Sequence, residues 1–154
     1  MSHFVFRSIP ALLAAVLATA LLGSVVQTQF NLVALQSMGV ALEPVHWIET
    51  TLSDLVGFTP IMAVLAGLTF IIAFPIGALI NAYWIRSRIL VFPLAGGLGL
   101  LVALQLVNHL APMPTLIAAT RSLTGTLAMV VCAGVGGLLY AWIAAPKDPS
   151  LIID

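Results

Sequence analysis

Four stretches of this chain offer water almost nothing to solvate, and that feature decides most of what the chain can become. Residues 9–26, 60–84, 89–110 and 117–143 are apolar runs in which the only formally charged side chain is Arg121. At 1.5 Å per residue such runs are of the length that crosses about 30 Å of hydrocarbon. Backbone groups in lipid must bond within their own segment, so each run is predicted to be a helix. Composition agrees: 62% of the residues are hydrophobic and 6% charged, where soluble domains carry about 25% charged residues. Mean hydropathy is +1.19. The expectation is an all-α integral membrane protein, a four-transmembrane-helix bundle forming a single domain over residues 1–154.

Local signals support these limits. Pro10, Pro60 and Pro93 are read as lying in or near first turns, where a missing N–H costs little, and Thr59 as the cap of the second span. Pro75 falls inside that span and predicts a kink. Arg7, the apolar run and Ala18-Thr19-Ala20 resemble a cleavable signal peptide. The run continues past Ala20 to Val26, however, so a retained span is the reading adopted.

The basic residues set the orientation. Arg7 precedes span one, Arg86 and Arg88 sit between spans two and three, and Lys147 follows span four. With four spans these places share one side, and Arg121 alone falls on the other. The positive-inside rule then makes both termini cytoplasmic, in a multi-pass protein of the bacterial inner membrane. Tyr83, Trp84, Tyr140 and Trp142 are expected to form an aromatic belt on that side. A short tail, residues 144–154, completes the chain.

Residues 27–59 form the one sizeable segment outside the spans. From Pro44 onward, Val45, Ile48, Leu52 and Leu55 recur at helical spacing, while His46, Glu49, Thr50 and Ser53 take another face. An amphipathic helix between helices 1 and 2 is predicted, with Trp47 at headgroup level and a shorter piece over residues 30–38. Both pieces are expected to lie on the outer interface or cap the bundle.

Small residues four apart mark faces where membrane helices approach closely. Span one has Ala11, Ala15, Thr19 and Gly23, and span two has Ala73, Gly77 and Asn81. Span three has Ala95, Gly99 and Ala103, and span four has Thr120, Thr124, Ala128, Cys132 and Gly136. Packing within a monomer and association between copies both use such stripes. Cys132, the single cysteine, is read as a small packing residue; alone it cannot form an internal disulfide, a CxxC pair or a thiolate cage.

Polar groups gather toward the outer side. Gln105, Asn108 and His109 share one face of span three at i, i+3 and i+4. Arg121 opens span four on the same side, His46, Glu49 and Asp54 come from the segment 27–59, and Gln27, Gln29 and Asn31 close span one. These candidate ligand-binding residues admit three readings. In the first, Arg121 pairs with Asp54 or Glu49 and the amides bond helix ends. In the second, His46, Glu49 and His109 converge on a metal ion. In the third, the cluster holds a lipid headgroup, a quinone or an anion at Arg121. An arginine at a helix start opposes the macrodipole, so Arg121 is the first candidate to need a partner.

No catalytic residue, metal ligand set or cofactor is indicated. Facing haem ligands, phosphate loops and nucleophile elbows are missing, and Gly96-Gly97-Leu98-Gly99 has no preceding strand, so it reads as packing. Zero net charge without a basic cluster excludes nucleic acid as a partner. Three functions remain. The first is a non-catalytic subunit or scaffold in the lipid bilayer, assembling as a homo-oligomer or with a membrane protein partner. The others are a small transporter or channel with an outward polar site around Arg121 and His109, and a lipid- or quinone-binding enzyme subunit.

Overall fold

The computed structural model describes residues 2–110 and 117–145. Lys147, counted above for orientation, lies outside the described residues with the rest of the tail beyond residue 145, as does the side chain of His3. The elements are α1 (Ser2–Ser37), α2 (Pro44–Gly57), α3 (Thr59–Tyr83), α4 (Arg88–Leu110), a 3-10 turn (Ala118–Arg121) and α5 (Leu123–Ile143). The four helices α1, α3, α4 and α5 are long and apolar enough to cross a membrane. They pack in a ring in which α1 touches α3, α3 touches α4, α4 touches α5 and α5 returns to α1. The protein is therefore an all-α four-helix bundle with one further helix between its first and second spans.

Three boundaries depart from the sequence expectation. Residues 27–37 do not leave the membrane helix as a separate piece; they extend α1 by about three turns. Nothing in that stretch breaks a helix until Gly39, whose φ of 87° suits the left-handed stop. Val40 N–H donates to the Leu35 carbonyl (3.3 Å) and Gly39 N–H to that of Gln36 (3.0 Å), which closes the end as a Schellman motif. At the other end α1 begins at Ser2 rather than near residue 9, so Pro10, placed near a first turn by the sequence, lies inside the helix.

The second departure is at Thr59. It is the first residue inside α3 rather than its cap, and its hydroxyl is buried without a partner. A single residue in αR geometry, Phe58, joins α2 to α3; its N–H donates to the Asp54 carbonyl (2.7 Å) and its own carbonyl accepts from Met62 N–H (3.0 Å). The third is the start of the last span, which is Leu123 instead of residue 117. Ser122 is extended, and its hydroxyl accepts from Gly125 N–H at 3.0 Å. Serine favours such caps because its side chain substitutes for the missing helical acceptor. Arg121 therefore stands outside α5, before the cap, and does not oppose that helix's dipole as a first-turn residue.

Close backbone approach holds one side of the ring. Ala11, Ala15 and Thr19 of α1 are fully buried, and Thr19 donates to the Cys132 carbonyl across the α1–α5 seam at 3.4 Å. A Cβ on Gly136 would run into Thr19 Oγ1 and the Ala15 carbonyl, and one on Gly137 into the backbone of Phe92 and Pro93. The buried band of α5 is wider than the stripe read from sequence. It takes in Gly125, Met129, Ala133 and Gly137 as well as Cys132 and Gly136, because α5 faces both α1 and α4, while Thr124 is exposed.

Phe70 fills the centre and stacks on Phe74 at 4.4 Å. Phe74 and Phe92 in turn meet Tyr140 at 4.4 and 4.9 Å. Tyr140 is thus part of the core aromatic group rather than a belt residue, whereas Tyr83, Trp84 and Trp142 are exposed. At this end Arg7 donates to the Ile143 carbonyl (3.1 Å) and Arg88 to that of Ala144 (3.2 Å). Cations on the last carbonyls of α5 satisfy orphan acceptors and match the helix dipole.

Candidate functional site

Polar side chains at membrane depth are costly unless bonded, and they gather at the end of the bundle that carries α2. What assembles there is a clasp. Ser24, Gln27 and Thr28 share one face of α1 at i, i+3 and i+4 and are all buried. Ser24 donates to the Asp54 carbonyl (2.9 Å). The Thr28 hydroxyl reaches both the Asp54 carboxylate (2.8 Å) and the Ser24 carbonyl (2.9 Å). At the next residue, the Gln29 amide donates to Thr51 (3.3 Å), whose hydroxyl donates to the Trp47 carbonyl (2.7 Å). The Gln27 carbonyl oxygen accepts from Ala119 N–H at 2.8 Å, which ties the 3-10 turn to α1.

The clasp turns α2 in an unusual way. Its polar residues Thr51 and Asp54 face the bundle, and no residue of α2 is buried. Val45, Ile48, Leu52 and Val56 form an exposed apolar row, from 58% to 78% exposed. His46, Glu49 and Ser53 form an exposed polar row beside it. The expected apolar face therefore exists, with Leu55 half-buried and Val56 in its place on the open side.

The candidate residues end up in five settings. Asp54 is half-buried and held by Thr28. His46 and Glu49 are exposed on α2, which packs on α1 and α3. Gln105 and His109 are exposed on α4, which packs on α3 and α5. Asn108 is half-buried and accepts from the Thr120 hydroxyl at 3.2 Å. Arg121 is exposed in the 3-10 turn. Among the described residues, no group of three or more His, Cys, Asp or Glu side chains is placed to hold a metal ion. His46, Glu49 and His109 form no such group: α2 packs mainly on α1 and α3, and α4 mainly on α3 and α5.

Sequence reasoning missed Ser24, Thr28 and Thr51, which make the clasp. The signal was available: Ser24, Gln27 and Thr28 have the same i, i+3, i+4 spacing that singled out Gln105, Asn108 and His109. Hydroxyls in lipid commonly bond the carbonyl one turn back, as Thr69 does to Leu65 (2.8 Å) and Thr126 to Ser122 (3.0 Å). Thr28 adds a carboxylate to that bond.

Two grooves open on the surface, and no candidate ligand-binding residue lines either. One, of about 620 Å³, runs between α3 and α4 from Leu65 to Ile80 on one side and from Ala95 to Val107 on the other. The second, of about 290 Å³, lies between α1 and α3 near Tyr140. The chain matches no family model, no curated protein and no solved structure.

Proposed function

We propose that the protein is a non-catalytic subunit or scaffold of a membrane assembly, taking a further transmembrane helix against its α3–α4 face. The observation that carries this reading is the long groove on that face. Its walls are exposed aliphatic rows, Leu68, Ile72 and Ile76 on α3 and Leu98, Val102 and Leu106 on α4. Its floor is set by close approach, since a Cβ on Gly99 would lie 3.0 Å from Ala73 and one on Gly77 3.1 Å from Ala95. From Leu65 to Ile80 the groove follows α3 for roughly 22 Å, most of a hydrocarbon core.

Lipid tails are as apolar as leucine, so helices associate in membranes by fit rather than by hydrophobicity. A ridge of aliphatic side chains from another helix fits such a groove. The occupant comes from a second copy of this chain or from another membrane protein. The polar clasp supports the same reading, because the buried polar groups Ser24, Gln27 and Thr28 are engaged in holding α2 and the 3-10 turn to α1. In this arrangement Arg7, Arg86 and Arg88 face the cytoplasm of a bacterial cell. The helix α2 lies amphipathically at the outer interface, its Val45–Ile48–Leu52–Val56 row in the acyl boundary and His46, Glu49 and Ser53 in water.

Crosslinking in native membranes tests this. With Cys132→Ala as background, Val102→Cys is expected to give a crosslinked adduct. Leu17→Cys, on the exposed face of α1, gives none. A single uncrosslinked species from Val102→Cys removes the proposal.

A further inference from the structure

We infer that the Arg7 end of the bundle binds an anionic glycerophospholipid, its phosphate at Arg7 and one acyl chain in the groove between α1 and α3. That groove, of about 290 Å³, is walled by Leu12 of α1, by Ile71, Phe74 and Pro75 of α3 and by Tyr140 of α5, with Ser8 at its rim. Its lining is almost wholly apolar, which suits a hydrocarbon chain and nothing charged.

The charge lies beside the groove. Arg7 adjoins Ser8 and is half-buried. It donates one N–H to the carbonyl of Ile143, less than one turn beyond Tyr140. A guanidinium has five donors in a fork that matches phosphate, so one bond to a carbonyl leaves most of that capacity. Arg88 brings a second cation to the next carbonyl, Ala144, and lies 5.2 Å over the Phe92 ring with its Nε buried and unbonded.

The end of α5 supplies only about half a negative charge against these two. All carboxylates among the described residues, Glu43, Glu49 and Asp54, are in or beside α2, near the far ends of the spans. Net positive charge beside an apolar groove complements a lipid that carries a negative headgroup above its chain. A zwitterionic lipid brings its own cation to the same place and gains less. Basic pockets between transmembrane helices hold anionic headgroups on this physical basis.

Native mass spectrometry of the full chain in detergent, with added phosphatidylglycerol or phosphatidylcholine, tests the inference. The wild type is expected to retain phosphatidylglycerol in preference. Arg7→Gln lowers that preference about fivefold and Arg7→Gln with Arg88→Gln about 25-fold, following the usual attraction per basic residue. Arg7→Lys keeps the charge but not the fork, so its preference falls between those of the wild type and Arg7→Gln, which separates electrostatics from misfolding; a preference in Arg7→Lys no greater than that of Arg7→Gln overturns the inference. Ile71→Trp, at a position 59% exposed, fills the groove and lowers retention of both lipids alike. Equal retention of the two lipids by the wild type overturns it, and so does a preference that survives the double substitution. Unchanged lipid retention in Ile71→Trp does the same.

Discussion

The helices α5 and α3 are both apolar spans, yet they meet their neighbours in opposite ways. Of the most apolar 18 residues of α5, 44% are buried, against 28% for α3. The difference is written in side-chain size. The seams of α5 are built from Cys132, Ala133, Gly136 and Gly137, so backbones approach until a single added Cβ would collide with a carbonyl. The helix α3 approaches α4 closely at Ala73 and Gly77, but it anchors itself in the centre through Met62, Phe70 and Phe74, large side chains that reach inward while grooves remain on both flanks. Close packing makes a wall in the first case. In the second, the surface stays open to whatever the membrane supplies.

Removing the anchor of α3 should have the largest effect. Phe70 is fully buried and packs against Gly96 and Gly136, so Phe70→Ala is expected to cost about 3–5 kcal/mol in reversible unfolding in mixed micelles. Gly137→Ala comes next and strikes the tight side. The colliding atoms are backbone and have little room to yield, so a loss of about 1–3 kcal/mol is expected in the same assay. Breaking the clasp is milder. Thr28→Val removes the hydroxyl from Asp54 and should cost about 0.6–1.7 kcal/mol, read most directly as faster amide exchange over residues 44–57 with little change in α5. Smallest is Ile72→Ala, on the open wall at 66% exposure, where stability should stay within about 0.5 kcal/mol. A cost for Ile72→Ala as large as that of Gly137→Ala would erase the contrast between the two helices.

The spans were legible because length and polarity in lipid leave the backbone one solution. Their edges were less so, and each miss has a local cause. The pattern of residues 27–37 shows polar side chains, which reads as departure from the membrane. Yet Gln27, Thr28 and Gln29 are bonding partners for α2 and the 3-10 turn, and the backbone has no reason to stop before Gly39. Ser122 looked like part of a helical run, but its hydroxyl caps Gly125 and shifts the helix start past Arg121. At the candidate site, spacing along one helix correctly grouped Gln105, Asn108 and His109 on a face. It could not tell which faces meet. Ring order decides that, and it separates the α4 residues from His46 and Glu49. Tyr140 shows the same limit, since a tyrosine near a span end fits a belt equally well until Phe74 and Phe92 are seen around it.

Every part of this picture requires that α3 carry the chain from one face of the bilayer to the other. Single cysteines at Ser53, on the exposed polar side of α2, and at Ser87, in the turn before α4, bracket that crossing when introduced into a Cys132→Ala background. In sealed vesicles of known orientation, a membrane-impermeant thiol reagent should modify one from outside and the other only after lysis. Modification of both from the same face would contradict the four-span arrangement.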